Sequence, residues 1–313
     1  MTVSSTLEAI GTTPLIEVES IRPADGARVL VKWEGANPTG SMKDRMAVAI
    51  IRAARERGEL APGQRVVEYT GGSTGSSLAM VCAALDHPVT LLTADCFATE
   101  KIRTMGAFGA TVEVLQTPDG QVHPGLIDDW EERLDTVMAE TGAFWTDQLN
   151  NADALDGYAT LGEELLSDAP GITDFVMGVG TGGCAMGTAR GLRGEHNVRI
   201  GLLEPAESPY LSAGEGGDHN VEGLSVVADP PLLDDDLYDE VHTVSEEDAR
   251  EMARRLAAEE GLLVGTSTGL NVAASVNLAA ERDPDDVVVT VGCDTGLKYL
   301  DGDLFAGEAP ATG

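Results

Sequence analysis

The stretch Arg65-Val66-Val67-Glu68-Tyr69-Thr70-Gly71-Gly72-Ser73-Thr74-Gly75-Ser76 decides the architecture. A β-branched run, Arg65–Tyr69, ends in a turn of glycines and hydroxyls, and a helix follows from about Ser76. The same order recurs at Thr173–Val179, where Gly178-Val179-Gly180-Thr181-Gly182-Gly183-Cys184 opens a helix to about Arg193. Further strand candidates are Val29–Trp33, Val89–Thr93, Thr111–Leu115, Val198–Leu203 and Asp286–Val291. Helical patterns fall between them. In 42–57, Met46, Ala47, Ile50, Ile51 and Ala54 share one face. The stretch 246–259 opens with Ser245-Glu246-Glu247-Asp248, a capping-box pattern, and stops at Gly261. Strands alternating with helices predict an α/β fold with mostly parallel sheets. Residues 205–235, rich in Gly, Pro and Asp, break the rhythm and read as a long surface segment.

The 313 residues suggest two domains of roughly 150 each. With 42% apolar and 23% charged residues the composition is globular. No apolar run approaches the ~18–20 residues of a membrane span, and Met1 to Gly11 lacks the pattern of a signal peptide, so a cytoplasmic protein is expected. The formal net charge is −33, which excludes nucleic acid and anionic lipid as partners. Acid recurs in short clusters, Asp128-Asp129 with Glu131-Glu132, Asp234 to Asp236 and Glu246 to Asp248, while lysine occurs only at 32, 43, 101 and 298. Dispersed acid with scarce lysine fits a molar-salt cytoplasm, where screening makes self-repulsion tolerable. Cysteines 82, 96, 184 and 293 form no C-x-x-C pair, and histidines 87, 123, 196, 219 and 242 form no ligand cluster. Free thiols and no metal are expected.

Chemistry belongs where loops leave the carboxyl ends of parallel strands. The turn Thr70–Gly75 is an anion cradle at a helix start. It also matches G-x-S-x-G, but Gly265-Thr266-Ser267-Thr268-Gly269 does too, which weakens a hydrolase reading built on Ser73. The turn Gly178–Gly183 satisfies G-x-G-x-x-G, with Glu204 about twenty residues on, so a nicotinamide oxidoreductase stays open. The loop identifies an anion without saying which. In Asn37-Pro38-Thr39-Gly40-Ser41-Met42-Lys43-Asp44-Arg45, Ser41 stands where a Walker lysine would. Lys43 instead opens a helix beside two anion cradles, as a Schiff-base lysine for pyridoxal phosphate requires.

Asn37–Arg45 resembles the cofactor-lysine motif of the cysteine synthase and cystathionine β-synthase family, the fold-type II pyridoxal phosphate enzymes. The similarity starts at Ile10-Gly11-Thr12-Thr13-Pro14-Leu15 and includes Gly178–Gly183 and Glu204-Pro205-Ala206-Glu207-Ser208-Pro209. It continues through Glu260–Gly265 with Ser267 to Asp294-Thr295-Gly296 with Tyr299-Leu300. The resemblance implies two three-layer α/β domains, a smaller one over 36–147 and a larger one over 1–35 plus 148–313, with pyridoxal 5'-phosphate in the cleft between them. It implies that Lys43 holds the cofactor and shuttles the α-proton. Ser73 would contact the ring oxygen, and Gly180, Thr181, Gly182, Gly183 and Cys184 would wrap the phosphate. Ser267 would face the pyridine nitrogen; a hydroxyl does not hold that nitrogen protonated, which suits expulsion of a β-leaving group. Thr70, Gly71, Thr74 and Gln148 would hold the substrate carboxylate, and a homodimer is implied.

Four positions depart from the family pattern. Gly71 replaces a serine, Ser73 an asparagine, Cys184 a threonine and Ser225 a glycine. The expected reaction is β-replacement on an activated serine, O-acetylserine plus sulfide giving cysteine. The rivals are a β-eliminating serine/threonine dehydratase or cysteine desulfhydrase, the nicotinamide enzyme, and a non-catalytic cofactor-binding regulator.

Overall fold

The computed structural model describes residues 2–121, 123, 125–193, 197–224 and 229–306. In chain order the strands are β1 (Leu15–Glu17), β2 (Arg28–Trp33), β3 (Val66–Tyr69), β4 (Val89–Ala94), β5 (Thr111–Leu115), β6 (Phe144–Trp145), β7 (Asp174–Gly178), β8 (Arg199–Pro205), β9 (Glu240–Val244) and β10 (Val287–Gly292). The helices are α1 (Lys43–Glu56), α2 (Ser73–Ala84), α3 (Thr99–Ala107), α4 (Leu126–Thr141), α5 (Asp153–Asp168), α6 (Gly183–Leu192), α7 (Tyr210–Ala213), α8 (Glu246–Glu259) and α9 (Thr266–Ala280). None among the described residues is long and apolar enough to cross a membrane.

The chain forms two compact units, residues 1–10 with 37–157, and 11–36 with 158–313. These limits differ from a division at 36 and 147, for local reasons. Leu7 packs with Ala47 and Ile51, which draws the first ten residues into the first unit. Gly157 sits so close to the Arg45 carbonyl that a Cβ there would reach within 2.6 Å of it. The limit at 157 thus falls inside α5.

In the first unit, the sheet order is β5-β4-β3-β6, all parallel. Alternate side chains point to opposite faces of a strand, and each face meets its own helices. Val66, Val89 and Leu91 pack with α1, α2 and Met105 of α3. Val67, Tyr69, Leu92 and Ala94 pack with Leu126, Trp130, Leu134 and Val137 of α4. Three layers result.

In the second unit the order is β1-β2-β10-β7-β8-β9, and only β1 runs antiparallel to its neighbour. Val29, Val31, Val176, Leu203 and Val288 pack with α8 and α9 through Met252, Leu256, Leu270 and Leu278. Lys32 on β2 is fully buried, its ammonium donating to the Thr13 carbonyl at 2.7 Å and pairing with Asp168 at 2.8 Å and Glu164 at 2.9 Å. That lysine is structural.

Three strands, β1, β6 and β9, lie outside the sequence-based expectation; two of them hold only three and two residues. The described residues of 206–235 are irregular, as expected, apart from the single turn of α7. The larger correction concerns α2, which starts at Ser73 and not near Ser76. Its residues from Thr74 to Cys82 are buried, and packing on that scale overrides the poor helix propensity of Ser, Thr and Gly.

Candidate active site

In the first unit the lysine loop is pinned by its own helix. Asp44, fully buried in the first turn of α1, accepts hydrogen bonds from Thr39 N at 2.8 Å and Thr39 Oγ1 at 2.6 Å. An acid at a helix N-terminus also complements the dipole. Thr39 Oγ1 lies 3.3 Å from Ser77 Oγ, and Ser77 donates to the Ser73 carbonyl at 3.0 Å. With both hydroxyl protons already given, to Asp44 and to Ser73, the Thr39–Ser77 approach is a contact that sets the Lys43 loop against the helix beginning at the Thr70–Thr74 turn.

That turn is shaped by what surrounds it. Thr70 Oγ1 accepts from Gly72 N at 3.0 Å, closing it locally. A Cβ on Gly71 would lie 2.7 Å from the Phe97 ring, and one on Gly72 would lie 2.4 Å from the Lys101 side chain. Phe97 stacks on Trp130, with centroids 5.8 Å apart, and Trp130 on Tyr69 at 5.4 Å. The glycine at 71 thus has a physical cause: an aromatic ring fills the space a serine would need. Buried Lys101 places a cation near this turn, a feature the sequence reading did not find.

Gln148 is joined to the same turn. Its Nε2 donates to the Tyr69 carbonyl at 2.7 Å, and its backbone N donates to Glu68 Oε2 at 2.9 Å. Glu68, fully buried, also accepts from Thr146 Oγ1 at 2.6 Å, Trp145 Nε1 at 3.2 Å and Tyr69 N at 2.9 Å. Burial pushes its carboxyl up to about 7, against the pull of these donors. Burial, with Glu68 alongside, pushes the Tyr69 phenol up to about 12.

In the second unit the turn after β7 is built on glycines packed against neighbouring main chain. Gly182 has φ +85°, a backbone that favours glycine, and a Cβ there would lie 2.9 Å from Leu233 N. A Cβ on Gly180 would lie 2.6 Å from the Gly223 carbonyl oxygen. Gly182 caps α6 with no side-chain bond, Thr181 Oγ1 accepts from Gly183 N at 3.2 Å, and Cys184 is buried in the first turn. A glycine-capped helix N-terminus of this kind fits a phosphate group, held by main-chain N–H groups and the helix dipole. Asn271 of α9 fixes the loop: its Oδ1 accepts from Gly178 N at 2.9 Å and its Nδ2 donates to the Val291 carbonyl at 2.9 Å. Ser267 is the second residue of that helix and is buried. Next to it, Thr268 Oγ1 accepts from Cys293 N at 2.9 Å. Ser225 lies outside the described residues.

The site residues expected from sequence therefore fall into two sets. Lys43, Thr70, Gly71, Ser73, Thr74 and Gln148 are gathered in the first unit; Gly180, Thr181, Gly182, Gly183, Cys184 and Ser267 are in the second. Glu68, Phe97 and Asn271 were missed. An acid within a β-branched run was the one available signal for Glu68.

The sequence profile of the family described as "Pyridoxal-phosphate dependent enzyme" matches residues 6–294. A probable cysteine synthase of Bacillus subtilis (strain 168) is 38% identical over 309 residues, covering 97% of this chain and 98% of that protein. Among solved structures, an O-ureido-L-serine synthase superposes with a TM-score of 0.91 at 32% identity, covering 100% of this chain and 98% of that one. Cysteine synthase from Entamoeba histolytica superposes with a TM-score of 0.89 at 30% identity, covering 97% and 91%. The glycine-capped helix start, the helix-opening lysine and these similarities agree: the chain belongs to the pyridoxal-phosphate dependent enzyme family.

Proposed function

We propose that this enzyme performs β-replacement on an activated L-serine, with O-acetylserine as donor and sulfide as nucleophile, giving L-cysteine and acetate. The observation that carries this reading is the placing, within one unit, of the Lys43 loop against the helix that opens at the Thr70–Thr74 turn, with Thr39 Oγ1 3.3 Å from Ser77 Oγ. Pyridoxal phosphate, when bound, supplies an electron sink for charge developing at the substrate α-carbon. Lys43 holds it and then moves the α-proton. Gly180, Thr181, Gly182, Gly183 and Cys184 hold its phosphate; Ser73 and Ser267 contact its ring. Thr70, Gly71, Thr74 and Gln148 grip the donor carboxylate, fixing the Cα–H bond toward the base. The Cβ–O bond breaks with loss of acetate, a Cβ–S bond forms to sulfide, and the proton returns to Cα.

An uncharged leaving group is favoured because Ile200 to Ala249 contains no Lys or Arg, while Glu204, Glu207, Glu215, Asp218 and Glu222 would repel a phosphorylated donor. Initial sulfide-dependent rates with O-acetylserine and O-phosphoserine decide this: the acetyl donor should be the faster. Pyruvate in place of cysteine would show an eliminating enzyme. The net charge of −33 supports a protein of a molar-salt cytoplasm, and the family resemblance supports a homodimer. Its melting temperature should rise from low to molar potassium chloride; a flat response contradicts that assignment.

A further inference from the structure

The geometry points to Glu68 as a positioning residue for the donor carboxylate: its buried carboxyl group clamps Gln148 against the Thr70–Thr74 turn. This rests on the reading that Gln148 and the turn grip the donor.

Glu68 is the third residue of β3, two positions before Thr70. Its two oxygens take four hydrogen bonds. Oε1 accepts from Tyr69 N on its own strand and from Trp145 Nε1; Oε2 accepts from Thr146 Oγ1 and Gln148 N. A carboxylate is an acceptor only, and here every partner is a donor. One group therefore fixes the strand leading into the turn and the segment carrying Gln148. The Gln148 side chain closes the ring by donating one Nε2 hydrogen to the Tyr69 carbonyl at 2.7 Å. With that hydrogen engaged and the backbone N held, the second Nε2 hydrogen is fixed in direction, and on the proposed reading it is the one offered to the donor's carboxylate. β3 and β6 are in register at Val66–Phe144 and Val67–Trp145, and Thr146 N still donates to the Val67 carbonyl at 3.3 Å; beyond that bond the Glu68 carboxyl group continues the connection to Gln148.

The test is Glu68→Gln in the cofactor-loaded enzyme, assayed at about pH 8. The amide has one accepting atom, so two of the four donors lose their acceptor while shape is kept. We expect KM for O-acetylserine, and the dissociation constant of L-cysteine followed by the cofactor's visible absorption, to rise about tenfold, with kcat within about threefold. Thr146→Val should raise both constants in the same direction by a smaller factor. Gln148→Ala should raise KM in the unmodified enzyme and add little on top of Glu68→Gln, because Glu68 acts through Gln148. Unchanged KM and cysteine binding in Glu68→Gln, or a fall in kcat alone, overturns the inference while leaving the reaction intact. Full additivity with Gln148→Ala also overturns it. If the unmodified enzyme turns over no serine donor and binds no cysteine, the proposed reaction itself fails and the Glu68 role falls with it.

Discussion

The two strand–turn–helix corners of this protein share a plan and differ in what fills them. After β7, the corner is closed in by main chain: the Gly223 carbonyl and Leu233 N leave no room for a Cβ at Gly180 and Gly182, while Asn271 holds Gly178 N and Thr181 Oγ1 holds Gly183 N. After β3, the corner is crowded. Phe97, Lys101 and Met105 press on Gly71, Gly72 and Gly75, and Glu68 with Gln148 braces the turn. Glycine thus serves two ends. In the second unit it lets neighbouring main chain, at Gly223 and Leu233, approach the turn; in the first it makes room for the side chains of Phe97, Lys101 and Met105. A phosphate held by main-chain N–H groups suits the first arrangement, and a substrate gripped through side chains suits the second.

The largest break in this comparison should come from Gly182→Ala. It forces a φ of +85° on an L-residue and drives a methyl toward Leu233 N. We expect the cofactor dissociation constant to rise ~100-fold, combining backbone strain with the lost approach. Cofactor loading, read by absorbance after dialysis, checks it; full retention would mean the loop does not hold the phosphate.

Gly71→Ser sharpens the contrast on the other side. Restoring the family's serine pushes its Cβ to 2.7 Å from Phe97, so KM for the donor should rise about tenfold with cofactor loading unchanged. Adding Phe97→Ala should recover most of the loss. If the single variant behaves as the unmodified enzyme, the ring does not explain the glycine.

A smaller effect isolates Glu68. Its carboxyl lies at about 7 in the folded protein, above the usual 4.5. The folded state therefore holds the proton more tightly. The associated stabilisation is complete below the unfolded value and is lost as pH rises through about 7. Urea unfolding at constant molar salt should show wild type losing about 3 kcal/mol relative to Glu68→Gln between pH 4.5 and 8. A constant difference would mean that the four donors fully offset burial.

Much of the frame is written locally. Thr111–Leu115 and Glu246–Glu259 lie where periodicity and capping place them, the latter because Ser245 Oγ accepts from Asp248 N at 3.1 Å. Other edges shift by a residue or two, which is ordinary for fraying ends. The start of α2 was hidden because Ser73-Thr74-Gly75 reads as turn chemistry, and only tertiary burial makes it helix. The Glu68 network was hidden for a different reason. Its donors at Trp145, Thr146 and Gln148 lie 77 to 80 residues away, and an isolated acid in a strand reads as a solvated position. Phe97 was silent likewise, since nothing near 97 signals contact with Gly71. Local pattern carries elements and glycine motifs; side-chain networks between distant segments need the fold.

The central claim is that Lys43, first residue of α1 in the loop pinned by Asp44, carries the cofactor. Borohydride reduction of the loaded enzyme, followed by proteolysis and mass mapping, tests it directly. The account predicts the reduced pyridoxyl label on the peptide containing Lys43 and no other, with loss of the label in Lys43→Ala. A label on Lys32, Lys101 or Lys298, or none at all, would contradict it.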